Sequence, residues 1–110
     1  LLATILRNSN YRVDIAYTGR TALERLTQYA YQAVTIDLKL PDTDGIQLIQ
    51  QLRKDAATHS LPIVVISASL DDERLITRQD PTFADVQWLQ KPLDPNALIA
   101  AIKIAIATKH

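Results

Sequence analysis

The sequence alternates between two hydrophobic periodicities, and this alternation limits the possible folds more than any other feature. Ile63-Val64-Val65-Ile66 is a continuous apolar run after Pro62, as expected for a strand buried on both faces. Other short runs predict strands at 13–17, 33–37 and 86–89. Apolar residues at helical spacing predict helices at 1–7, around 22–30, and at 44–56, 71–78 and 95–108.

This order of elements predicts an α/β fold. Strands that alternate with helices form a parallel sheet with right-handed crossovers and helices on both faces. A chain of 110 residues is long enough for one hydrophobic core, so we expect a single domain over residues 1–110. The first predicted helix has no strand before it, and the first residue is Leu1 rather than Met. We therefore expect the domain to be N-terminally incomplete and to lack its leading strand.

Composition excludes several classes of function. Lys and Arg number 12, as do Asp and Glu, and a net charge of zero argues against nucleic-acid binding through a basic surface. The absence of Cys excludes disulfides, thiolate nucleophiles and Cys-based zinc sites. His59 and His110 are too few for a metal cluster or a catalytic triad. No apolar run approaches the roughly 20 residues of a membrane span, so we expect no membrane association and a cytoplasmic location.

Three polar residues follow three predicted strands. Asp37 ends one strand, Ser67 ends the next, and Lys91 follows the last. Because the carboxyl ends of parallel strands share one edge, these residues should converge there. Taken singly, Lys91 is better explained by a plain salt bridge to Asp37, and Ser67 by a hydrogen bond to backbone. As a set, the three suit a phosphoryl group: the carboxylate accepts it, while the hydroxyl and the ammonium bind its oxygens.

The same residues carry a resemblance to a known family. Asp37 with its sequel Leu40-Pro41-Asp42-Thr43-Asp44-Gly45, then Ser67-Ala68-Ser69, then Lys91-Pro92 resemble response-regulator receiver domains in type, order and spacing. The resemblance covers the whole chain. It implies a flavodoxin-like doubly wound sheet of strand order 2-1-3-4-5, whose first strand is not among these residues. It also implies a cis Lys91-Pro92 bond.

The resemblance further implies roles for the site residues. Asp37 would take a phosphoryl group from a histidine kinase or a phosphotransfer protein, Ser67 would be the switch hydroxyl, and Lys91 would pair with the phosphate. Trp88 would stand at the aromatic switch position, although a lone Trp on a short strand is more often a fixed hydrophobic anchor. Mg²⁺ would be bound by Asp37, by the backbone carbonyl of Lys39 and by an acidic pair expected upstream of Leu1.

Two functions remain open at this point. The first is a phosphoacceptor switch of a two-component phosphorelay, with slow self-dephosphorylation and no enzymatic turnover, since the chain offers no base or second nucleophile. The second is a pseudo-receiver that acts as a phosphorylation-independent interaction module.

The final helix is apolar on several faces, which predicts an output surface or a homodimer interface formed with the predicted helix 71–78 and the last strand. Residues 80–85 depart from the family's short Gly-Ala turn.

Overall fold

Three parallel strands form the sheet, in the order β1-β2-β3. The computed structural model of the chain describes residues 2–38, 45–68 and 81–108. Strand β1 spans Val34–Asp37, β2 spans Ile63–Ser67 and β3 spans Gln87–Gln90. Both pairings are parallel, as the alternation of elements predicts. The α/β fold is therefore confirmed.

Strand β2 is the centre of the described sheet, and its five residues are all buried. Its side chains alternate between the two faces, as in any strand. Ile63 and Val65 belong to one core cluster, while Val64 belongs to the cluster on the opposite face. A strand with core on both sides has no polar face, which explains why its sequence is a continuous apolar run.

Helices cover both faces of this sheet. Their bounds are Leu2–Asn8 for α1, Gly19–Gln28 for α2, Gly45–Lys54 for α3 and Pro95–Ala107 for α4. Helices α2 and α3 pack on the Val65 side, and α1 and α4 pack on the Val64 side. Helix α4 begins as predicted: the Asp94 side chain accepts a hydrogen bond from the backbone N–H of Asn96, and Pro95 occupies the first turn.

The strand predicted at 13–17 is wrong. Residues 11–16 form neither a strand nor a helix, and two residues of the apolar alternation are exposed, Ile15 by 40% and Tyr17 by 78%. A strand needs a neighbour for its backbone N–H and C=O groups. Instead, a cavity of about 720 Å³ adjoins this segment, and Val13, Thr35 and Ile36 are among the residues that line it. Alternation of apolar residues was not enough to form a strand without an adjacent one.

One edge of strand β1 pairs with β2, and the other edge faces away from β2. Val34 and Leu38 donate their backbone N–H groups to the carbonyls of Pro62 and Ile66. Alternate residues of a strand direct their backbone groups to opposite sides, so the N–H and C=O of Thr35 point away from β2. Among the described strands, β1 pairs with β2 alone.

The segment before β3 is anchored to the core, which its polar sequence did not reveal. Pro81–Phe83 is a 3₁₀ turn, and the Phe83 side chain is 1% exposed. Arg53 donates to the carbonyl oxygens of His59 and Leu61, at 3.1 and 2.8 Å, and lies 3.4 Å from the Asp85 carboxylate. One buried guanidinium thus ties the end of α3 to the segments that lead into β2 and β3.

The helix predicted at 71–78 lies outside the described residues. Among the residues that are described, no helix combines the length and the apolar character needed to cross a bilayer.

Candidate functional site

The carboxyl edge of the sheet carries the three residues singled out in the sequence. Asp37 is the last residue of β1, Ser67 is the last of β2, and Lys91 follows the last residue of β3. The register pairs Asp37 with Ile66 and Ser67 with Gln90, so the three strands end almost level. The topology therefore brings all three residues to one edge, as the sequence predicts.

The Lys91 ammonium contacts the Asp37 carboxylate. Lys91 Nζ lies 2.7 Å from Asp37 Oδ2, across the end of the intervening strand β2. The backbone N–H of Lys91 donates to the Ser67 carbonyl at 2.8 Å, which extends the β2–β3 pairing by one residue. The Lys91-Pro92 peptide bond is cis, as the resemblance implies.

This ion pair contributes little to the stability of the fold. The two side chains are 47% and 42% exposed, and an ion pair this open to solvent contributes at most about 1 kcal/mol. The pair nevertheless places a cation within hydrogen-bonding distance of a carboxylate that reagents can reach. This arrangement suits a carboxylate that gains a negatively charged group.

Ser67 and Trp88 occupy different environments. Ser67 is 3% exposed, so its side chain is buried at the edge of the site. Trp88 is half-buried, lies opposite Val65 in the register and packs against the core cluster that includes Phe83. Gln90 follows Trp88 on the same face of β3, and its side-chain amide donates to the carbonyl of Ala68 at 3.5 Å. The packing of Trp88 is compatible with an anchor and with a movable element.

The described residues do not form a magnesium site by themselves. They contain no group of three or more His, Cys, Asp or Glu side chains that could hold a metal ion. The Asp37 carboxylate is present at the edge, but a hard cation takes six or more oxygen ligands, and one carboxylate supplies too few. Lys39, whose carbonyl was predicted as a ligand, lies outside the described residues.

A second polar contact lies at the other end of β1. The Tyr31 hydroxyl donates to Asp14 Oδ2 at 2.6 Å, and both residues line the cavity. The hydrogen bond to the Asp14 carboxylate raises the pKa of Tyr31 above 10.0, because loss of the phenolic proton would set two negative charges against each other. This contact joins the segment without secondary structure to the approach of β1.

Comparison with known sequences identifies one family. The family model described as the response regulator receiver domain matches residues 1–103. The regulatory protein VanRc of Enterococcus gallinarum is 33% identical over 103 residues, which cover 94% of this chain and 42% of that protein. The chain spans less than half the length of the curated relatives it matches.

Solved structures give the same result. A sensor protein from Polaromonas sp. JS666 is 38% identical with a TM-score of 0.87, over 96% of this chain and 84% of that one. The receiver domain of the sensor histidine kinase PA1611 from Pseudomonas aeruginosa PAO1 has a TM-score of 0.82 at 23% identity, over 97% of this chain and 86% of that one. At this identity the second likeness concerns the fold alone. That structure has a magnesium ion coordinated in its active-site cleft.

Proposed function

The chain belongs to the response-regulator receiver domain family, and on this premise we propose that Asp37 is a phosphoryl acceptor in a two-component phosphorelay. The observation that carries the proposal is the 2.7 Å contact between Lys91 Nζ and Asp37 Oδ2 at the carboxyl edge of the sheet. The proposed donor is a phosphohistidine of a histidine kinase or of a phosphotransfer protein.

The proposed step is a displacement at phosphorus. An oxygen of the Asp37 carboxylate attacks the phosphorus of the phosphohistidine, forming a P–O bond as the P–N bond breaks. The bonding electrons leave with the imidazole nitrogen, which takes up a proton. The chain needs no base for this step because the Asp37 carboxylate is already an anion at neutral pH.

Lys91 compensates charge before and after the transfer. Its ammonium pairs with the Asp37 carboxylate, and it is proposed to move to a phosphoryl oxygen once the aspartyl phosphate has formed. Because the side chain is half exposed, this change requires only rotation of a flexible stem rather than rearrangement of the core. A compact ammonium is suited to follow the charge in this way.

Ser67 and Trp88 are proposed to carry the signal away from Asp37. The Ser67 hydroxyl would donate to the phosphoryl group, and movement of this segment would leave space beside β2 that the Trp88 ring can enter. Trp88 is half-buried and packs against the core cluster, so a movement of its ring would change that packing. The proposed output or dimer surface includes β3, which carries Trp88, and α4, in which Ile104 is 50% exposed.

Magnesium enters this proposal conditionally. The described residues provide too few ligands, so Mg²⁺ binding would require acidic ligands from outside them. A protein without such ligands would be expected to act as an interaction module rather than as a phosphoryl acceptor. Titration of the full-length protein with Mg²⁺, followed by the part of its fluorescence that Trp88→Phe removes, distinguishes the two.

The test of the proposed function is a mass measurement. The full-length protein is incubated with a small acyl phosphate and Mg²⁺, and its intact mass should rise by one phosphoryl group. Asp37→Asn should abolish the increase, because an amide is not nucleophilic enough to accept the group. Asp14→Asn is a matched control, because it makes the same chemical change at the carboxylate that contacts Tyr31, away from Asp37. The intact mass of this variant should still rise by one phosphoryl group. An increase that survives Asp37→Asn would refute the assignment.

A further inference from the structure

Gly45 begins helix α3 in direct contact with the backbone that carries Asp37. Its backbone N–H donates to the Leu38 carbonyl at 2.8 Å. A Cβ atom added to Gly45 would lie 2.8 Å from the carbonyl oxygen of Asp37, 2.8 Å from the Cα of Leu38 and 3.1 Å from Cγ2 of Ile36. The start of α3 therefore packs on the Asp37-Leu38 peptide with no room for a methyl group.

Space, and not backbone conformation, is what requires glycine here. Gly45 has no positive φ, so an alanine could adopt its backbone angles. The two closest atoms belong to backbone and cannot rotate away as the end of a side chain would. An alanine must therefore push the start of α3 and the end of β1 apart.

The Asp37-Leu38 peptide and the carbonyl that follows it are fixed by hydrogen bonds to two different elements, β2 and α3. The N–H of this peptide, that of Leu38, donates to the Ile66 carbonyl of β2 at 3.3 Å, and the next carbonyl along the chain, that of Leu38, accepts from Gly45 at 2.8 Å. The carboxylate of Asp37 is attached next to this peptide and meets Lys91 Nζ at 2.7 Å. A displacement of this peptide would therefore change the direction in which the Asp37 side chain leaves the strand.

We propose that Gly45 is a positioning residue for the phosphoacceptor, which rests on the proposed function of Asp37. By allowing α3 to pack at backbone contact distance, it fixes the direction in which the Asp37 carboxylate leaves the strand. A carboxylate held beside the Lys91 ammonium needs less reorganisation to reach the phosphorus than one that moves freely. Gly45 acts through Asp37 and does not contact the phosphoryl group.

The test compares Gly45→Ala with a core substitution on the opposite face of the sheet. Ile102→Val removes one buried methyl group from α4, on the opposite face of the sheet, and should cost about 0.5–1.5 kcal/mol without touching the Asp37 peptide. Both full-length proteins are assayed in sucrose, which favours the folded state. We expect Gly45→Ala to lower the rate of phosphorylation by a small acyl phosphate at least about tenfold, and Ile102→Val to leave it near the wild-type rate.

A second readout does not depend on phosphorylation. The ¹H–¹⁵N signal of the Lys91 ammonium should be sharp in the wild type, lost in Asp37→Asn, and broadened in Gly45→Ala but not in Ile102→Val. If the wild type accepts no phosphoryl group, the proposed function fails while this signal still decides the role of Gly45. A variant that loses stability but keeps both the rate and the ammonium signal would reduce Gly45 to a packing residue.

The wild type alone provides a third measurement, which is independent of how well Gly45→Ala folds. The Gly45 amide hydrogen should be protected from exchange because it bonds to Leu38. Exchange at the rate of an unprotected amide would overturn the contact on which the proposal stands.

Discussion

Strand β2 and the segment 11–16 both contain β-branched apolar residues but meet different neighbours. Strand β2 has a strand on each side and core on each face, and none of its residues is exposed. The segment 11–16 borders the cavity, and its Ile15 is 40% exposed. Among the described residues, the apolar residues of β2 are therefore paired into a strand on both sides, whereas those of 11–16 have no strand beside them.

The largest expected contrast between these regions is in stability. Ile63→Ala in β2 should cost about 2–5 kcal/mol, because Ile63 is fully buried and its loss leaves a cavity. Ile15→Ala makes the same chemical change in the open segment and should cost about 1 kcal/mol or less. Urea unfolding of the two variants measures both values. Equal costs would mean that the open segment is packed as tightly as β2.

The comparison also explains how far the sequence could predict the fold. The run Ile63–Ile66 was located to within a residue because core on both faces makes it continuously apolar and Pro62 marks its start. Residues 13–17 were wrongly predicted as a strand, because the alternation of Val13 and Ile15 with polar residues does not indicate whether a neighbouring strand is present. Phe83 was overlooked as a core residue because a single aromatic in a polar stretch has no periodicity.

The site was predictable to a similar extent. Asp37, Ser67 and Lys91 could be placed together because a parallel sheet gathers its carboxyl ends at one edge. The contact of Gly45 with Asp37 could not be found, since it depends on the distance between a helix start and a peptide group. A glycine in the first turn of an apolar helix is a weak sequence signal for such a contact.

The next prediction concerns the two edges of β1. Val34 donates its N–H to Pro62 at 2.9 Å, whereas the N–H of Thr35 points to the cavity side. In a protein that consists of residues 1–110 alone, we expect the Thr35 amide to exchange at least about tenfold faster than that of Val34, a difference of roughly 1.4 kcal/mol in protection. Hydrogen exchange followed by NMR resolves the two amides. Equal protection would show that β1 has a second neighbour.

A smaller effect on stability is expected at the carboxyl edge. Lys91→Met should change the free energy of unfolding by less than about 1 kcal/mol, because the ion pair is half exposed. The same substitution should strongly slow phosphorylation, since the charge on Asp37 would lose its partner. Lys91→Arg keeps the charge but should still impair switching, because a planar guanidinium does not replace a compact ammonium. Normal switching in Lys91→Arg would remove Lys91 from the proposed mechanism.

The smallest expected effect is a pH dependence at the Tyr31–Asp14 contact. The folded-state pKa of Tyr31 lies above the ordinary 10.0, so the contact stabilises the fold fully below pH 10.0. This contribution is lost as the pH rises through the folded-state pKa. Tyr31→Phe should therefore lower Tm slightly at neutral pH, and the difference from wild type should shrink above pH 10.0. A difference that grows with pH would contradict the assigned contact.

The most direct test of the central claim locates the phosphoryl group on the chain. Full-length protein is phosphorylated and then reduced with borohydride, which converts an aspartyl phosphate to homoserine. Peptide sequencing by mass spectrometry should find homoserine at position 37, where the carboxylate of β1 meets Lys91 at 2.7 Å. Homoserine at another aspartate, or an unreduced Asp37 in protein that has gained a phosphoryl group, would contradict the account.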